Sequence, residues 1–184
     1  MKRSLDVFGA LLMLALLWPL LLAVALVIKL DSPGPVLFRQ IRVGRNGEPF
    51  EMFKFRSMVV NAEKLGGHST ADGDSRITRI GRYLRRTSLD ELPQIFNVLR
   101  GDMSWVGPRP DVPAQRGDYS AEEWRARLRV RPGITGLAQA TFRSMATLEQ
   151  RKAMDLDYAA HPSLCLDCKI LLMTVRQVIR RGGN

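Results

Sequence analysis

Residues 7–28 read VFGALLMLALLWPLLLAVALVI, an uncharged apolar run with Pro19 near its centre. At a rise of about 1.5 Å per residue, a helix of this length just crosses a hydrocarbon core of about 30 Å. Pro19 would remove one backbone hydrogen bond and bend that helix. Basic residues flank both ends of the run, so charge asymmetry does not favour sending one end across. A straight span, a re-entrant hairpin and a secretory signal all remain open.

The secretory signal is the least favoured of these three interpretations. Lys2, Arg3 and the small residues 23–25 fit a signal peptide and its cleavage site. Against it, Asp6 interrupts the start of the segment, and apolar residues continue through Ile28, beyond that cleavage site. The run is therefore interpreted as a segment that stays in the protein.

The composition indicates one ordinary domain that follows the apolar run and binds anionic partners. The chain has 184 residues and a formal net charge of +10, which favours lipid headgroups, nucleic acid or phosphorylated small molecules. Aromatic residues make up only 7%, and none forms a base-stacking series. Two cysteines are too few for a disulfide framework. A small secreted scaffold is therefore excluded, and nucleic acid is not expected as a partner.

The remaining residues predict a few local strands among many helices. Residues 36–41 and 50–55 are strand-like, and Asn46-Gly47 between them favours a type I′ hairpin turn. Helices are expected over residues 77–84, 88–99, 147–159 and 163–181 and after the capping signature that begins at Ser120. No alternating βαβ pattern is present, so the sequence predicts a mostly helical α+β fold with a small β-hairpin.

Asp90 and Glu91 are the first candidates for chemistry. Ser88 and Glu91 match a capping box, so both acidic residues could simply belong to a first helical turn. A helix N-terminus would also keep Asp90 ionised as a nucleophile or metal ligand, and Pro93 predicts an irregular turn there. Because neighbouring helical residues point about 100° apart, the pair would act in two different roles, not as a close dyad.

Arginines and lysines form the second candidate set. Those on or beside the hairpin are Arg39, Arg42, Arg45, Lys54 and Arg56, and those before the acidic pair are Arg76, Arg79, Arg82, Arg85 and Arg86. Most would form a solvated basic face against anionic lipids. Arg109 differs because a proline on each side stiffens its backbone, and a guanidinium held in this way suits bidentate binding of a phosphate. Arg143 is a weaker candidate of the same kind.

Cys165 and Cys168 have the spacing of a redox or zinc motif. No second cysteine pair exists, and His161 is the only nearby ligand, so two small buried thiols are expected instead. Residues 72–74 are too short for a calcium loop.

Several motifs together resemble one known family. They are KRSLD at residues 2–6, FKFRSM at 53–58, TSLDELPQ at 87–94, GDMS at 101–104, VGPRP at 106–110 and RPGITG at 131–136. The chain is similar over its whole length to the bacterial sugar transferases known as monotopic phosphoglycosyl transferases. It resembles their minimal catalytic form. In place of the serine that often precedes the membrane-helix proline in these proteins, this chain has Trp18, which leaves the angle of the helix break open.

The resemblance implies an activity and its partners. Such enzymes transfer a sugar 1-phosphate from a UDP-sugar to a membrane polyprenyl phosphate such as undecaprenyl phosphate, release UMP and use Mg²⁺. The step begins bacterial polysaccharide and glycoprotein assembly. Asp90 would be the covalent nucleophile, Glu91 would hold the metal with it, and Arg109 would lie near donor phosphate or nucleotide. Lys54, Arg56, Arg82, Arg86 and Arg143 would contact substrate.

The resemblance also implies where the chain works. Residues 1–30 would form a re-entrant helix-break-helix in the bacterial inner membrane, broken near Pro19. Residues 31–184 would form a catalytic domain on the cytoplasmic membrane surface, with residues 166–179 as an amphipathic interfacial helix among membrane lipids. Asp167 would pair with Lys2 or Arg3. A homodimer is left open, and residues 61–76 and 138–150 are where donor selectivity is expected.

Two other functions compete with this one. A membrane-anchored basic module binding anionic lipid or nucleic acid would explain the charge, but not the acidic pair beside an arginine cluster. A metal-dependent phosphodiesterase could use the same residues on water and would need no lipid acceptor.

Overall fold

A computed structural model of the chain describes residues 1–65, 74–142 and 145–181. The helices are α1 (Lys2–Asp31), α2 (Ala62–Leu65), α3 (Arg79–Thr87), α4 (Gln94–Arg100), α5 (Ala121–Arg127), α6 (Leu137–Phe142), α7 (Leu148–Ala160) and α8 (Leu164–Arg181). The strands are β1 (Leu37–Val43), β2 (Pro49–Phe55), β3 (Ser104–Val106) and β4 (Gly133–Thr135). The expected mostly helical fold with a small β-hairpin is confirmed.

The apolar run forms α1, which is long and apolar enough to cross a membrane. One stripe of it, at helical spacing, packs on the rest of the protein and includes Asp6, Ala10, Val24 and Ile28. Most of its other side chains are exposed and apolar, as Phe8 is. Since the inner stripe packs on protein, the outer face is the one available to lipid.

The helix continues through Pro19, where two helices separated by a break were expected. A proline removes only its own N–H donor, so a helix can lose that one hydrogen bond without ending. The re-entrant course through a membrane, and the domain division that goes with it, stay predictions.

Both ends of α1 contact the same domain. At its start, Lys2 Nζ lies 2.5 Å from Asp167 Oδ2 of α8, which confirms the predicted pair. At its end, the Arg56 guanidinium donates hydrogen bonds to the carbonyl oxygens of Ser32 at 2.7 Å and Pro33 at 2.8 Å. The domain therefore lies beside α1 along most of its length.

The hairpin is formed as predicted. β1 and β2 pair antiparallel, from Leu37 opposite Phe55 to Val43 opposite Pro49. In the connecting loop Asn46 has φ 60° and Gly47 has φ 88°. Both residues tolerate this left-handed region, which is why Asn-Gly indicates a hairpin turn.

A second, parallel pair of strands lies in segments predicted as loops. Ser104 pairs with Gly133 and Val106 with Thr135. The two backbone segments approach so closely that a Cβ on Gly133 would lie 2.1 Å from the backbone nitrogen of Gly107. Two strands of three residues each are too short to give an alternating pattern, so the sequence does not show this pairing. The pairing fixes the start of the segment that carries Arg109.

Candidate active site

The acidic pair lies in a tight turn between two helices. Ser88 does not cap a helix through its side chain, so the predicted capping box is wrong. Ser88 instead ends α3 in a left-handed conformation with φ 59°. Residues 89–91 then form one 3-10 turn, and α4 begins only after Pro93. The irregularity expected from Pro93 is confirmed, and the turn places Asp90 inward.

Glu91 forms ion pairs with two cations. Its Oε1 lies 2.8 Å from Lys54 Nζ of β2 and 2.9 Å from the Arg109 guanidinium. Asp90 is buried, with 8% of its surface exposed. Among the described residues, none donates a hydrogen bond to the Asp90 carboxylate, although Lys54 and Arg109 both act on it electrostatically. Two neighbouring carboxylates therefore have different surroundings, and that they act in two different roles stays a prediction.

These surroundings separate the pKa values of the two carboxyl groups. Burial raises the pKa of Asp90 to about 6, and the charge of Lys54 opposes that rise. Burial would raise the pKa of Glu91 too, but Arg109 and Lys54 outweigh it and lower this pKa to about 2. Glu91 is therefore ionised and held by its two ion pairs. Asp90, which has no hydrogen-bond donor within the described part of the chain, is a carboxylate that can react near neutral pH.

A buried ionic network contacts the backbone of Arg109 and holds it in place. Arg127 of α5 donates a hydrogen bond to the Arg109 carbonyl oxygen and lies 3.0 Å from both Asp111 and Asp155. Arg151 of α7 also binds Asp111, at 3.1 Å. Burial raises the pKa of Asp155 to about 6 against the opposing charge of Arg127. The network indicates that Arg109 is positioned before any ligand arrives.

Arg85 is a site residue that sequence reasoning did not single out. Its Nε donates a hydrogen bond to Ser57 Oγ at 2.9 Å, and its charge acts on Asp90. A Cβ on Gly81 would lie 1.9 Å from the Ser57 carbonyl oxygen, so α3 packs directly on the chain after β2. Arg85 lies four residues after Gly81 and next to buried Leu84, an inward face that could have identified it.

The other predicted substrate-binding residues are scattered. Arg56 is buried, and its described hydrogen bonds go to residues at the end of α1. Arg82 and Arg86 are exposed on α3, with Arg86 lying 5.8 Å from the Tyr83 ring centroid. Arg143 lies outside the described residues. Substrate contact by any of these four stays a prediction. Arg56 does line the cleft that contains the acidic pair, but among the described residues of the predicted set Lys54 and Arg109 are the ones that pair with Glu91.

A cleft of about 1810 Å³ runs past the acidic pair. The charged residues that line it include Asp90, Glu91, Lys54, Arg85 and Arg109, together with Arg42, whose charge interacts with Glu91 and Arg109. The cations near the acidic pair outnumber its two carboxylates, and this excess of positive charge suits a diphosphate.

The acidic pair offers the kind of ligands that a magnesium ion takes from a protein when a phosphate substrate supplies the others. Among the described residues, no group of three or more His, Cys, Asp or Glu side chains is arranged to hold a metal. Mg²⁺ is usually held by one or two carboxylates together with substrate phosphates and water. Asp90 and Glu91 match that pattern.

Cys165 and Cys168 are exposed, not buried as expected, because they lie on the outer face of α8.

Comparison with known proteins identifies relatives over the whole chain. The family model described as bacterial sugar transferase matches residues 1–181. A UDP-glucose:undecaprenyl-phosphate glucose-1-phosphate transferase of Caulobacter vibrioides is 49% identical over 97% of this chain and 69% of its own length. An undecaprenyl-phosphate glucose phosphotransferase of Komagataeibacter xylinus is 48% identical over 97% of this chain and 36% of its own length.

A third relative carries a different sugar in its name. It is the UDP-N-acetylgalactosamine-undecaprenyl-phosphate N-acetylgalactosaminephosphotransferase of Aeromonas hydrophila, 42% identical over 99% of this chain. The chain spans 44% of that protein's length, so the match covers less than half of it.

Proposed function

The chain belongs to the bacterial sugar transferase family, and on that premise we propose that it transfers a sugar 1-phosphate from a UDP-sugar to a polyprenyl phosphate. The names of the relatives support both substrates. The observation that carries the proposal is the buried Asp90 carboxylate, which accepts no hydrogen bond from any residue that the structure describes, beside Glu91, Lys54 and Arg109.

In the first step Asp90 is the nucleophile. One carboxylate oxygen attacks the β-phosphorus of the UDP-sugar, and the bond from that phosphorus to the bridging oxygen breaks. UMP leaves with the bonding electron pair, and the sugar phosphate stays on Asp90 as an acyl phosphate. A pKa of about 6 leaves most of the Asp90 carboxyl ionised at pH 7, so no separate base is required.

The neighbouring charges stabilise the charge that develops during this transfer. Lys54 and Arg109 are already fixed by Glu91, so they need little reorganisation when the diphosphate arrives. Asp90 and Glu91 would hold Mg²⁺, which would neutralise phosphate charge when bound. Arg85 is a further cation whose charge acts on Asp90.

In the second step a phosphate oxygen of the lipid acceptor attacks the same phosphorus. The bond to Asp90 breaks, the carboxylate is regenerated, and a polyprenyl diphosphate sugar is released. A phosphomonoester has its second pKa near 6, so the acceptor arrives largely ionised. Two displacements of this kind give ping-pong kinetics.

The placement of α1 supports a site at the surface of the bacterial inner membrane. Both ends of α1 contact the catalytic domain, whereas a straight span would carry one end away from it. We therefore place Lys2 and Asp31 on the same, cytoplasmic side, where UDP-sugars are made. The test is labelling from outside of a cysteine at position 4, in a chain where Cys165 and Cys168 are serine; labelling would refute this topology.

The activity is tested with a panel of UDP-sugars and polyprenyl phosphate. We expect UMP and a polyprenyl diphosphate sugar with at least one donor, and loss of both in Asp90→Asn. Asp118→Asn is the matched control, because Asp118 is an exposed residue at the rim of the same cleft. Release of free sugar phosphate without an acceptor would instead identify a phosphodiesterase, and no reaction with any donor would contradict the proposal.

A further inference from the structure

A second basic residue of the hairpin faces the cleft that contains the acidic pair. Lys54 of β2 lies opposite Phe38 of β1. Gln40 and Arg42 follow Phe38 at alternate positions of the same strand, so their side chains lie on the face that carries Lys54. All four residues line the cleft. The hairpin therefore presents two cations, Lys54 and Arg42, to the same space.

Neutral oxygens hold the Arg42 guanidinium in place. Its Nη1 donates a hydrogen bond to the Pro110 carbonyl oxygen at 2.8 Å. Its Nε and Nη2 donate hydrogen bonds to Gln40 Oε1 at 3.0 Å and 2.6 Å. Because a guanidinium has five N–H donors, one N–H on each terminal nitrogen has no partner among the described residues. The group is therefore fixed in orientation and still has donors for a ligand.

No carboxylate of the described residues forms an ion pair with Arg42. Glu91 pairs instead with Lys54 and Arg109. Burial and the neighbouring charge of Arg109 lower the pKa of Arg42 to about 10. The charges of Asp111 and Glu91 oppose this shift without outweighing it. A partly buried cation with neutral partners is stabilised when an anion arrives, so an anion is the ligand that Arg42 suits.

The position of Arg42 indicates which phosphate it would meet. Lys54 and Arg109 act electrostatically on Asp90, where the β-phosphate would lie. Arg42 is next to these cations, since it binds the carbonyl oxygen of the residue directly after Arg109. In phosphoryl transfer the attacking and leaving oxygens lie roughly in line through the phosphorus. Both proposed steps take place at the same phosphorus, so the group opposite Asp90 is the UMP phosphate in the first step and the lipid phosphate in the second.

We propose that Arg42 binds one phosphate position that is used twice, first by the phosphate of the leaving UMP and then by the phosphate of the incoming polyprenyl lipid. This inference rests on the proposed function. The two molecules differ in what they carry, a nucleoside or an apolar chain, but each presents charged phosphate oxygens to the same guanidinium. UMP must therefore leave before the lipid phosphate binds, which gives the ping-pong order a structural reason.

Discharge of the loaded protein tests this proposal. The protein is loaded with a UDP-sugar, freed of nucleotide, and given either polyprenyl phosphate or UMP. A phosphate oxygen of UMP attacks the phosphorus, the bond to Asp90 breaks, and the UDP-sugar is re-formed. Arg42→Met should raise the concentration for half-maximal discharge by about tenfold or more with both molecules, because each loses a hydrogen bond between charged groups.

Two further variants complete this experiment. Arg42→Lys keeps the positive charge and should recover part of the loss with both molecules. Arg45→Met is the matched control, because Arg45 is an exposed residue of the same hairpin that does not line the cleft. It should change the discharge by neither molecule.

A separate readout distinguishes phosphate binding from an indirect effect through Arg109. Arg42 holds Pro110, so its loss could displace Arg109 instead of removing a phosphate contact. Hydrolysis of the loaded protein by water takes place at the same phosphorus but needs no second phosphate. Arg42→Met should therefore leave the rate of this hydrolysis unchanged. A changed rate would assign the loss to a displaced Arg109 and overturn the proposal.

The remaining outcomes contradict the proposal in different ways. A loss with UMP alone would assign Arg42 to the nucleotide, and a loss with polyprenyl phosphate alone would assign it to the acceptor. No loss with either would mean that Arg42 binds neither phosphate. Failure of the proposed function is a different result, because the unchanged protein would then form no sugar-phosphate adduct with any donor.

Chemical protection of the unchanged protein covers the case in which Arg42→Met does not fold. The protein is treated with phenylglyoxal, which modifies accessible guanidinium groups, and the modified arginines are mapped by mass spectrometry. UMP and polyprenyl phosphate should each protect Arg42, and neither should protect Arg45. Protection of Arg42 by only one of the two, by neither, or no modification of Arg42 in the free protein would overturn the proposal.

Discussion

The raised pKa of Asp90 predicts an acid limb in the pH dependence of UMP release. Burial raises this pKa from 3.8 to about 6, and only the ionised carboxylate attacks phosphorus. The ionised fraction then falls from about 90% at pH 7 to about 9% at pH 5, roughly a tenfold loss of rate. A carboxyl with an ordinary pKa would lose only about 6% over the same range.

The assay is single-turnover release of UMP from a UDP-sugar with no lipid present. The acceptor is left out because its phosphate also titrates near pH 6 and would produce a limb of its own. Lys54 is the cation that most strongly lowers the pKa of Asp90. Lys54→Met should therefore move the acid limb to higher pH by about one pH unit. Arg82→Met, which removes an exposed charge on α3, should leave the limb in place.

Two results would refute this reasoning. A rate that is flat between pH 5 and pH 7 would mean that Asp90 has an ordinary pKa or is not the nucleophile. A limb that moves to lower pH in Lys54→Met would mean that Lys54 does not act on Asp90 as the geometry requires.

Three further predictions concern stability and positioning. Because the pKa of Asp90 is raised on folding, ionisation of this carboxyl lowers the free energy of unfolding by about 3 kcal/mol above pH 6 and has no effect below about pH 3.8. Asp90→Asn should therefore raise the free energy of unfolding at pH 7 but not at pH 3.5. A fall at pH 7 would contradict this. Arg127→Met removes the ion pair of buried Asp155 and leaves Asp111 with Arg151, so it should cost about 3–5 kcal/mol in denaturant titration, whereas Arg125→Met on the exposed face should cost under about 0.5 kcal/mol. Gly81→Ala should lower the rate of UMP release by displacing α3; Gly117→Ala, where a Cβ meets nothing within 4 Å, is the control, and equal rates would contradict the close approach.

The sequence predicted the elements whose signals are local. The α1 run, the Asn46-Gly47 hairpin and the capping box of Ser120 with Glu123 all appear where they were expected. Each depends on residues close together in the chain, so periodicity or turn chemistry reveals it. The parallel pairing of β3 with β4 depends on residues almost thirty positions apart in the chain, and no local pattern reports it.

The candidate site was predictable in its residue types but not in its partners. The Asp90-Glu91 pair and the stiff Arg109 segment stand out in the sequence. Which cation meets which carboxylate depends on how β2, the 3-10 turn and the Arg109 segment converge, and only the structure gives that. Ser88 shows the limit of motif reasoning, since α3 runs into it and gives it a left-handed conformation that cannot begin a capped helix.

The most direct test of the central claim is the intact mass of the purified protein after incubation with UDP-sugars in the absence of acceptor. The account predicts an added mass of one sugar phosphate, mapped to Asp90, absent in Asp90→Asn and lost when polyprenyl phosphate is added. Catalytic turnover with no such adduct at any time, or an adduct that persists in Asp90→Asn, would contradict the account.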